Sequence, residues 1–393
     1  MARRVAIVGT GQTKYVTKRR DVSFPELAHE AARKALDDAG LTLNDVDAVV
    51  FGSAPEAFEG VNCPDKWSAG AVGALNKPFM RVHTGGATGG STAIAAVHHV
   101  ASGLFDVVLA VAVERVGETP DAQRILNAAF PPIYAKDFAV NIITSQAMEA
   151  VRWMKDCGLT EWHMAKIAVK NHRNALNNPY AHLRLEVSIE DVLNSRVICW
   201  PLKLLDCCPR SDGACAAVFT SEGRAKKITR RAAWIKGIGA RTRFYCTGEP
   251  DLAKEVELAT SAAMKAYRMA GIHNPRKEIQ VVEPYTPFSM TELMDYVELG
   301  FCEKNELAKL CETGFGEMTG EVPFNPSGGV MCSNPIGASA LVRVVEAALQ
   351  VMGRAEGRQV ENARTALAEG RGGSPGPGVA TFRTVMILGA EPD

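Results

Sequence analysis

The sequence predicts an α/β protein built from two related halves, and three observations carry that expectation. A strand-helix-strand unit occurs twice, the apolar runs are of strand length, and each half holds a glycine-rich turn leading into a helix of small residues. Together they describe strands alternating with buried helices in mixed or parallel sheets. The repeat is the most informative of the three. ELAHEAARKALDDAGLTLNDVDAVV at 26–50 matches ELATSAAMKAYRMAGIHNPRKEIQVV at 257–282, with Glu, Leu, Ala, the paired alanines, Lys-Ala and Ala-Gly in register. Each copy follows a strand-like run, VAIVGTG near 5–11 and AWIKGIGA at 233–240. A separation of this size excludes a solenoid.

Taken in order, RVAIV at 4–8 is a buried strand, and an amphipathic helix runs from about Pro25 to Ala39 with Gly40 as its C-cap. DAVVFG at 47–52 is the next strand. The stretch from Arg81 to Gly103 then reads as strand, glycine elbow and buried helix. Glycines at 85, 86, 89 and 90 let backbone N–H groups approach a ligand, and Thr88 or Ser91 is placed to cap the helix. The positive end of such a helix suits a developing negative charge, while the plainer reading is a tight turn seating a helix on a sheet. FDVVLAVAVE at 105–114 closes this part. Residues 115–230 form a long insertion with helices such as SQAMEAVRWMKDCG and the polar turn DCCPRSDGA at 206–214; an insertion of that length beside a cleft often covers a substrate. The second half repeats the theme with NPSGGVMCSNPIGASALVRVVEAALQVMG at 325–353 and a closing strand in VATFRTVMILG at 379–389. The division expected is 1–114, 115–230 and 231–393: first half, covering region with the end of the first half, second half.

Composition narrows the function classes. Lys plus Arg and Asp plus Glu are both 44 in 393 residues, and no basic run offers a nucleic-acid footprint. Apolar runs such as VVLAVAV at 107–113 are too short for a membrane span, and MARRVAIVGTG lacks a signal-peptide core, so a cytoplasmic protein with small-molecule or protein partners is expected. Ten cysteines lie within apolar segments, which favours reduced thiols over disulfides. With no Cys-x-x-Cys pair and no His/Cys cluster at ligand spacing, no metal is expected on this chain. GTGQTK at 9–14 lacks the spacing of a phosphate loop and reads as a strand-ending turn.

VHTGGATGG, DCCPRSDGACAAV, LGFCEKNE, VPFNPSGG and NPIGAS, in that order, resemble the thiolase superfamily across essentially the whole chain. The resemblance implies a five-layered α-β-α-β-α sandwich of two duplicated halves, usually dimeric, with CoA thioesters bound beneath the insertion and chemistry at the Cα–Cβ bond of an acyl-CoA. In ordinary thiolases an elbow cysteine takes the acyl group, an Asn or His in a second motif helps form an oxyanion hole, a Gly-His-Pro histidine activates a thiol, and a C-terminal cysteine shuttles a proton. Those positions fall here on Gly86, on Tyr285 in EPYTPFSMTEL, on Asn334 in CSNPIG, and in RGGSPG near Gly372. Glycine cannot form an acyl-enzyme, so a covalent route needs Cys332 or Cys208, and a direct route needs attack by the CoA thiolate. For either cysteine a small buried filler is the plainer reading. The resemblance places Ser211, Gly328, Gly329 and Gly373 on loops that hold the CoA.

Tyr285 adds a second chemistry, since a phenol can donate to a carbonyl oxygen or, with a lowered pKa, take a hydroxyl proton. The superfamily's steroid side-chain aldolases similarly lack the elbow cysteine, carry a Tyr where this chain has Tyr285, and share LLDCC, here at 204–208. Their second active-site tyrosine falls on Asn334. That branch and the benzoylsuccinyl-CoA thiolase type both work with a small zinc-ribbon/OB-fold subunit, so the resemblance implies such a zinc-bearing partner beside a homodimer, with CoA as substrate and no covalent cofactor. The expectation is a thiolase-type acyltransferase acting on a bulky or branched 3-oxoacyl-CoA, for which Gly86 leaves room. Its alternatives are a retro-aldolase of 3-hydroxyacyl-CoA and a non-catalytic CoA-binding subunit. Both reactions pass through an acyl-CoA enolate, and backbone N–H groups near Gly86 with the Asn334 side chain are the candidates to hold its charge. Glu283 and Glu292 flank Tyr285 and could tune it, with a surface or capping role for each as the plainer reading.

Overall fold

The two copies of the repeat fold into matching elements. The protein is described here by a computed structural model, for residues 3–129, 141–242, 255–373 and 380–392. In the first half, β1 (Val5–Gln12) leads to α1 (Phe24–Ala39). Ser23 and Glu26 form a reciprocal capping box at the start of α1, and Gly40 ends it in the left-handed region at φ 64. Then follow β2 (Ala48–Gly52), β3 (Phe79–Val82), α2 (Thr88–Ala101) and β4 (Val107–Arg115). The insertion contributes α3 (Ile142–Cys157), α4 (Glu161–Ala175) and the hairpin β5 (Val197–Cys199) and β6 (Leu202–Lys203), before β7 (Asp212–Ser221) returns to the first sheet. The second half holds β8 (Ala233–Thr242), α5 (Glu255–Ala270), β9 (Val281–Glu283), α6 (Ser289–Glu298), α7 (Ile336–Val351), β10 (Thr365–Gly372) and β11 (Phe382–Gly389).

Strand order shows the duplication directly. Among the described residues nine strands hydrogen-bond in the order β3-β2-β4-β7-β1-β8-β11-β10-β9. Read outward from the centre, β1, β7, β4, β2 and β3 correspond to β8, β11, β10 and β9, and a parallel bridge between Val282 and Phe324 stands where a fifth strand would be. The senses match as well: β2 is parallel to β4 as β9 is to β10, while β7 and β11 are antiparallel to both of their neighbours. Among the described residues, strand pairing joins the two half-sheets only at Ala6 with Trp234 and Ile7 with Ala233.

Alternation along β1 explains the layering. Ala6 and Val8 pack in one cluster with Leu27, Ala28, Ala31 and Ala35 of α1, whereas Val5 and Ile7 pack in another with α2 and α7. α2 and α7 lie against each other between the two sheets, and Gly89 makes this possible because a Cβ there would stand 2.9 Å from the Leu341 Cβ. α1 covers the outer face of the first sheet, and α5 and α6 lie on the outer side of the second. The result is a five-layered α-β-α-β-α sandwich. β4 is buried at all nine positions, as expected for a strand covered on both faces. Among the described residues no helix is long and apolar enough to cross a membrane, and no group of His, Cys, Asp and Glu is arranged to hold a metal ion.

Candidate active site

Four segments meet at the ends of these elements. Tyr285 lies on the loop after β9, where its N–H donates to Glu369 Oε2 of β10 at 2.9 Å. Its Oη donates to Asn334 Oδ1 at 3.2 Å, just before α7. The same Oδ1 accepts from Ser339 Oγ at 2.8 Å, and Asn334 Nδ2 donates to Cys208 Sγ at 3.1 Å. Cys208 is held in turn by its own N–H, which donates to the Pro287 carbonyl at 2.8 Å on the Tyr285 loop. Tyr285, Asn334 and Cys208 therefore form one hydrogen-bonded cluster.

The elbow completes it in an unexpected way. A Cβ built at Gly86 would stand 3.0 Å from Tyr285 Oη, 3.1 Å from its Cζ and 2.6 Å from the Arg371 carbonyl oxygen. The space beside Gly86 is filled by the phenol, which corrects the expectation of room there for a bulky acyl group. Nor do Thr88 and Ser91 cap α2 as expected. Thr88 Oγ1 donates to the Gly85 carbonyl and accepts from Thr84 N–H, and Ser91 Oγ bonds Thr84 Oγ1 at 2.8 Å, so both side chains brace the turn. The Ala87 and Thr88 N–H groups are used inside the turn, on the Thr84 and Gly85 carbonyls.

The other expected residues are placed as follows. Ser211 is buried behind Asn334, exchanging Asn334 N–H to Ser211 Oγ at 3.0 Å and Ser211 N–H to the Asn334 carbonyl at 3.2 Å, with His182 Nδ1 2.9 Å from the same hydroxyl. Gly328 and Gly329 are buried against Ala175 and Asn325 at φ 87 and 65, and so shape the loop. Gly373, at φ 69, lies against Gly85. Cys332 is fully buried in the cluster beneath the insertion, its Sγ 3.5 Å from the Asn171 carbonyl and 3.7 Å from His172 Nδ1, and no hydrogen bond links its side chain to the Tyr285 cluster. Glu283 and Glu292 are neither surface nor capping groups. Glu283 pairs with Arg343 and Ser327, and Glu292 with Lys170 at 2.8 Å, both fully buried. The carboxylate that does touch Tyr285 is Glu369, which the sequence reading passed over; its signal was a charged residue directly after the apolar run 366–368.

Burial sets the protonation of the cluster. Tyr285 is 6 % exposed, and burial, with the neighbouring Cys208 thiol and Glu369 carboxylate, raises its phenol well above the usual range. Its O–H is thus retained, which favours donation over the base role among the two weighed for it. Burial also pushes the Cys208 thiol up to about 11 against the opposing bond from Asn334, and Cys332 up to about 12. Neither is a poised thiolate. What the arrangement offers is a phenol O–H and an amide N–H whose present partner, a thiol sulfur, is a weak acceptor, side by side in a dry site. Such a pair suits an oxygen that gains negative charge.

Comparison with known proteins agrees with the architecture. Residues 5–223 match the thiolase N-terminal domain and residues 240–390 a thiolase C-terminal domain-like family. The chain is 32% identical over 376 residues to an acetyl-CoA acetyltransferase of Methanothermobacter thermautotrophicus, covering 95% of this chain and 97% of the relative. It is 32% identical to benzoylsuccinyl-CoA thiolase subunit BbsB of Thauera aromatica, covering 92% of each. A solved structure described as an Ltp2-ChsH2(DUF35) aldolase superposes with a TM-score of 0.82 at 27% identity over 98% of both chains. Matched along nearly its full length by both domain families, and folded as two copies of one α/β unit about paired central helices, the chain belongs to the thiolase superfamily.

Proposed function

We propose that this chain cleaves or forms the Cα–Cβ bond of an acyl-CoA without a covalent acyl-enzyme, and that the bond is of the aldol type: a 3-hydroxyacyl-CoA divides into a carbonyl compound and a shortened acyl-CoA. The sequence alone ordered thiolase-type transfer first and retro-aldol second. The observation that reverses this order is the phenol of Tyr285 occupying the side-chain space of Gly86. A protonated donor stands where the family's nucleophile would be, and burial favours the thiol form of Cys208 beside it, as it does for Cys332 in the separate core beneath the insertion. Retro-aldol cleavage needs no nucleophile; it needs a donor for the thioester enolate and a group to accept the hydroxyl proton. Tyr285 Oη and Asn334 Nδ2 supply the first requirement.

The resemblance of the chain to an acetyltransferase and to a thiolase subunit supports a second reading, attack of free CoA on a 3-oxoacyl-CoA at the same site. A DUF35 protein is named with the aldolase structure that this chain resembles, which supports a protein partner for this chain; the zinc-ribbon/OB-fold nature of that partner and the homodimer rest on the family resemblance alone. Cys208→Ser and Cys332→Ala discriminate between covalent and noncovalent routes. Cys332→Ala is expected to keep its kcat within roughly threefold of the parent, Cys208→Ser to lower kcat because its hydroxyl holds Asn334 Nδ2 more tightly than the thiol does, and neither to lose a mass-detectable acyl adduct, because none forms. A stable adduct that disappears in one of them would restore the covalent route.

A further inference from the structure

Retro-aldol chemistry needs a group that takes a proton from the substrate hydroxyl and returns one to Cα, and the protonated Tyr285 cannot be that base. Glu114, at the end of β4, is 2 % exposed and has no role in the reading so far. Its Oε2 accepts from the N–H of Ala54 at 2.8 Å and from the N–H of Gly337 at 3.2 Å. Those donors stand on the chain leaving β2 and on the first turn of α7, three residues after Asn334. A Cβ at Gly337 would stand 2.5 Å from Oε2, so that turn is built around the carboxyl. Oε1 has no hydrogen-bond partner among the described residues, and no cation pairs with the group there. A carboxyl placed only to cap α7 has no need of burial without a counter-ion, which is costly.

We propose that Glu114 is the proton-exchange group of this site, an inference that rests on the aldol reading above. The Glu114 carboxylate takes the proton of the 3-hydroxyl. The Cα–Cβ electron pair moves into the thioester as its enolate, the C3–O bond becomes a carbonyl, and the carbonyl product leaves. The enolate then takes the proton from the Glu114 carboxyl at Cα, which restores the carboxylate and releases the acyl-CoA. No other reactant is consumed.

The electrostatic setting fits this role. Burial pushes the Glu114 carboxyl up to about 8 against its two N–H bonds, and its negative charge in turn helps to raise the Tyr285 phenol. The charged groups facing it are Arg81 of β3, occupied by Glu56 and Asp65, and Glu59 from the segment after β2, occupied by Arg115. Neither supplies a free counter-ion that would hold the carboxyl permanently ionised.

The test uses the full chain and two readouts, cleavage of 3-hydroxyacyl-CoA and exchange of Cα hydrogen of the shortened acyl-CoA with deuterated solvent. Rates in the parent are expected to rise with pH through the Glu114 value of about 8. Glu114→Gln should lower both by roughly 100- to 10,000-fold and abolish that rise, with acyl-CoA binding retained. If Glu114→Gln keeps both rates and the same pH profile, Glu114 is excluded and the aldol reading stands. Exchange that depends on Glu114 without any cleavage would support Glu114 and overturn the aldol reading. Absence of both reactions in the parent overturns both. Should Glu114→Gln fail to fold, infrared titration of the parent decides, since absence of a carboxyl band titrating between about pH 7 and 9 contradicts the proposal.

Discussion

A side chain added at Gly86 has to displace the Arg371 carbonyl oxygen, 2.6 Å from the Cβ position, and also presses on the Tyr285 phenol at 3.0 Å, and only the phenol is at the end of a movable side chain. Gly86→Cys is therefore expected to lose roughly 1–3 kcal/mol of stability by overpacking. Tyr285→Ala in the same chain should recover part of that loss, and a denaturant double-mutant cycle would read the coupling; additive losses would mean that the two positions do not compete for space. Tyr285→Phe keeps the packing and removes only the O–H. It should lower kcat roughly ten- to a thousandfold with little change in KM, and unaltered kcat would remove Tyr285 from the chemistry. Glu114 makes a separate prediction for stability. Its folded pKa is raised from 4.5 to about 8, so the folded state holds a proton that the unfolded state releases. That contribution is complete below about pH 4.5 and is lost as pH rises through about 8, so Glu114→Gln should flatten the decline over this window in pH-dependent denaturation. An unchanged slope would show that Glu114 is ionised in the folded protein. At this scale the sequence revealed identities more than relations. Tyr285, Asn334 and Cys208 could be picked out one by one. That the phenol fills the gap at Gly86, or that Cys332 belongs to a different core, depends on long-range approach that no local pattern encodes.

β10 and β11 carry the charges that hold the Tyr285 loop. Arg371 and Arg383 meet Asp295 and Glu298 of α6 and Glu369 of β10 in one buried network, and Glu369 binds the Tyr285 N–H. Three carboxyls face two guanidiniums, and burial raises Asp295 well above the carboxylate range. Removing one cation leaves buried carboxylates uncompensated. Arg383→Met is expected to cost about 3–5 kcal/mol in chemical denaturation, far more than a surface pair. A loss below about 1 kcal/mol would mean that water reaches the network. The same charges hid the element from sequence reading. Glu369 and Arg371 interrupt the apolar run of β10 and disguise a strand covered on both faces, whereas β4 and β11 announced themselves as near-continuous apolar runs. α1 was legible almost to the residue because its caps are local chemistry, a Ser23–Glu26 box and a left-handed Gly40.

For the whole molecule, the duplication was the legible part. Two strand-helix-strand copies in register required two sheets with the same strand order, and the small residues after each glycine turn became α2 and α7, the helices close-packed between them. The insertion brings Cys208 and Ser211 to that centre, a long-range closure the sequence marks only as a polar turn. Together these place a protonated phenol and an amide beside Gly86 of the elbow. The most direct test of that account is product analysis of a 3-hydroxyacyl-CoA incubated with the chain, alone and with a DUF35-type protein, in the absence of free CoA. Stoichiometric release of an aldehyde or ketone with the shortened acyl-CoA is the predicted result. No carbonyl product, together with CoA-dependent conversion of a 3-oxoacyl-CoA into two acyl-CoAs, would contradict it.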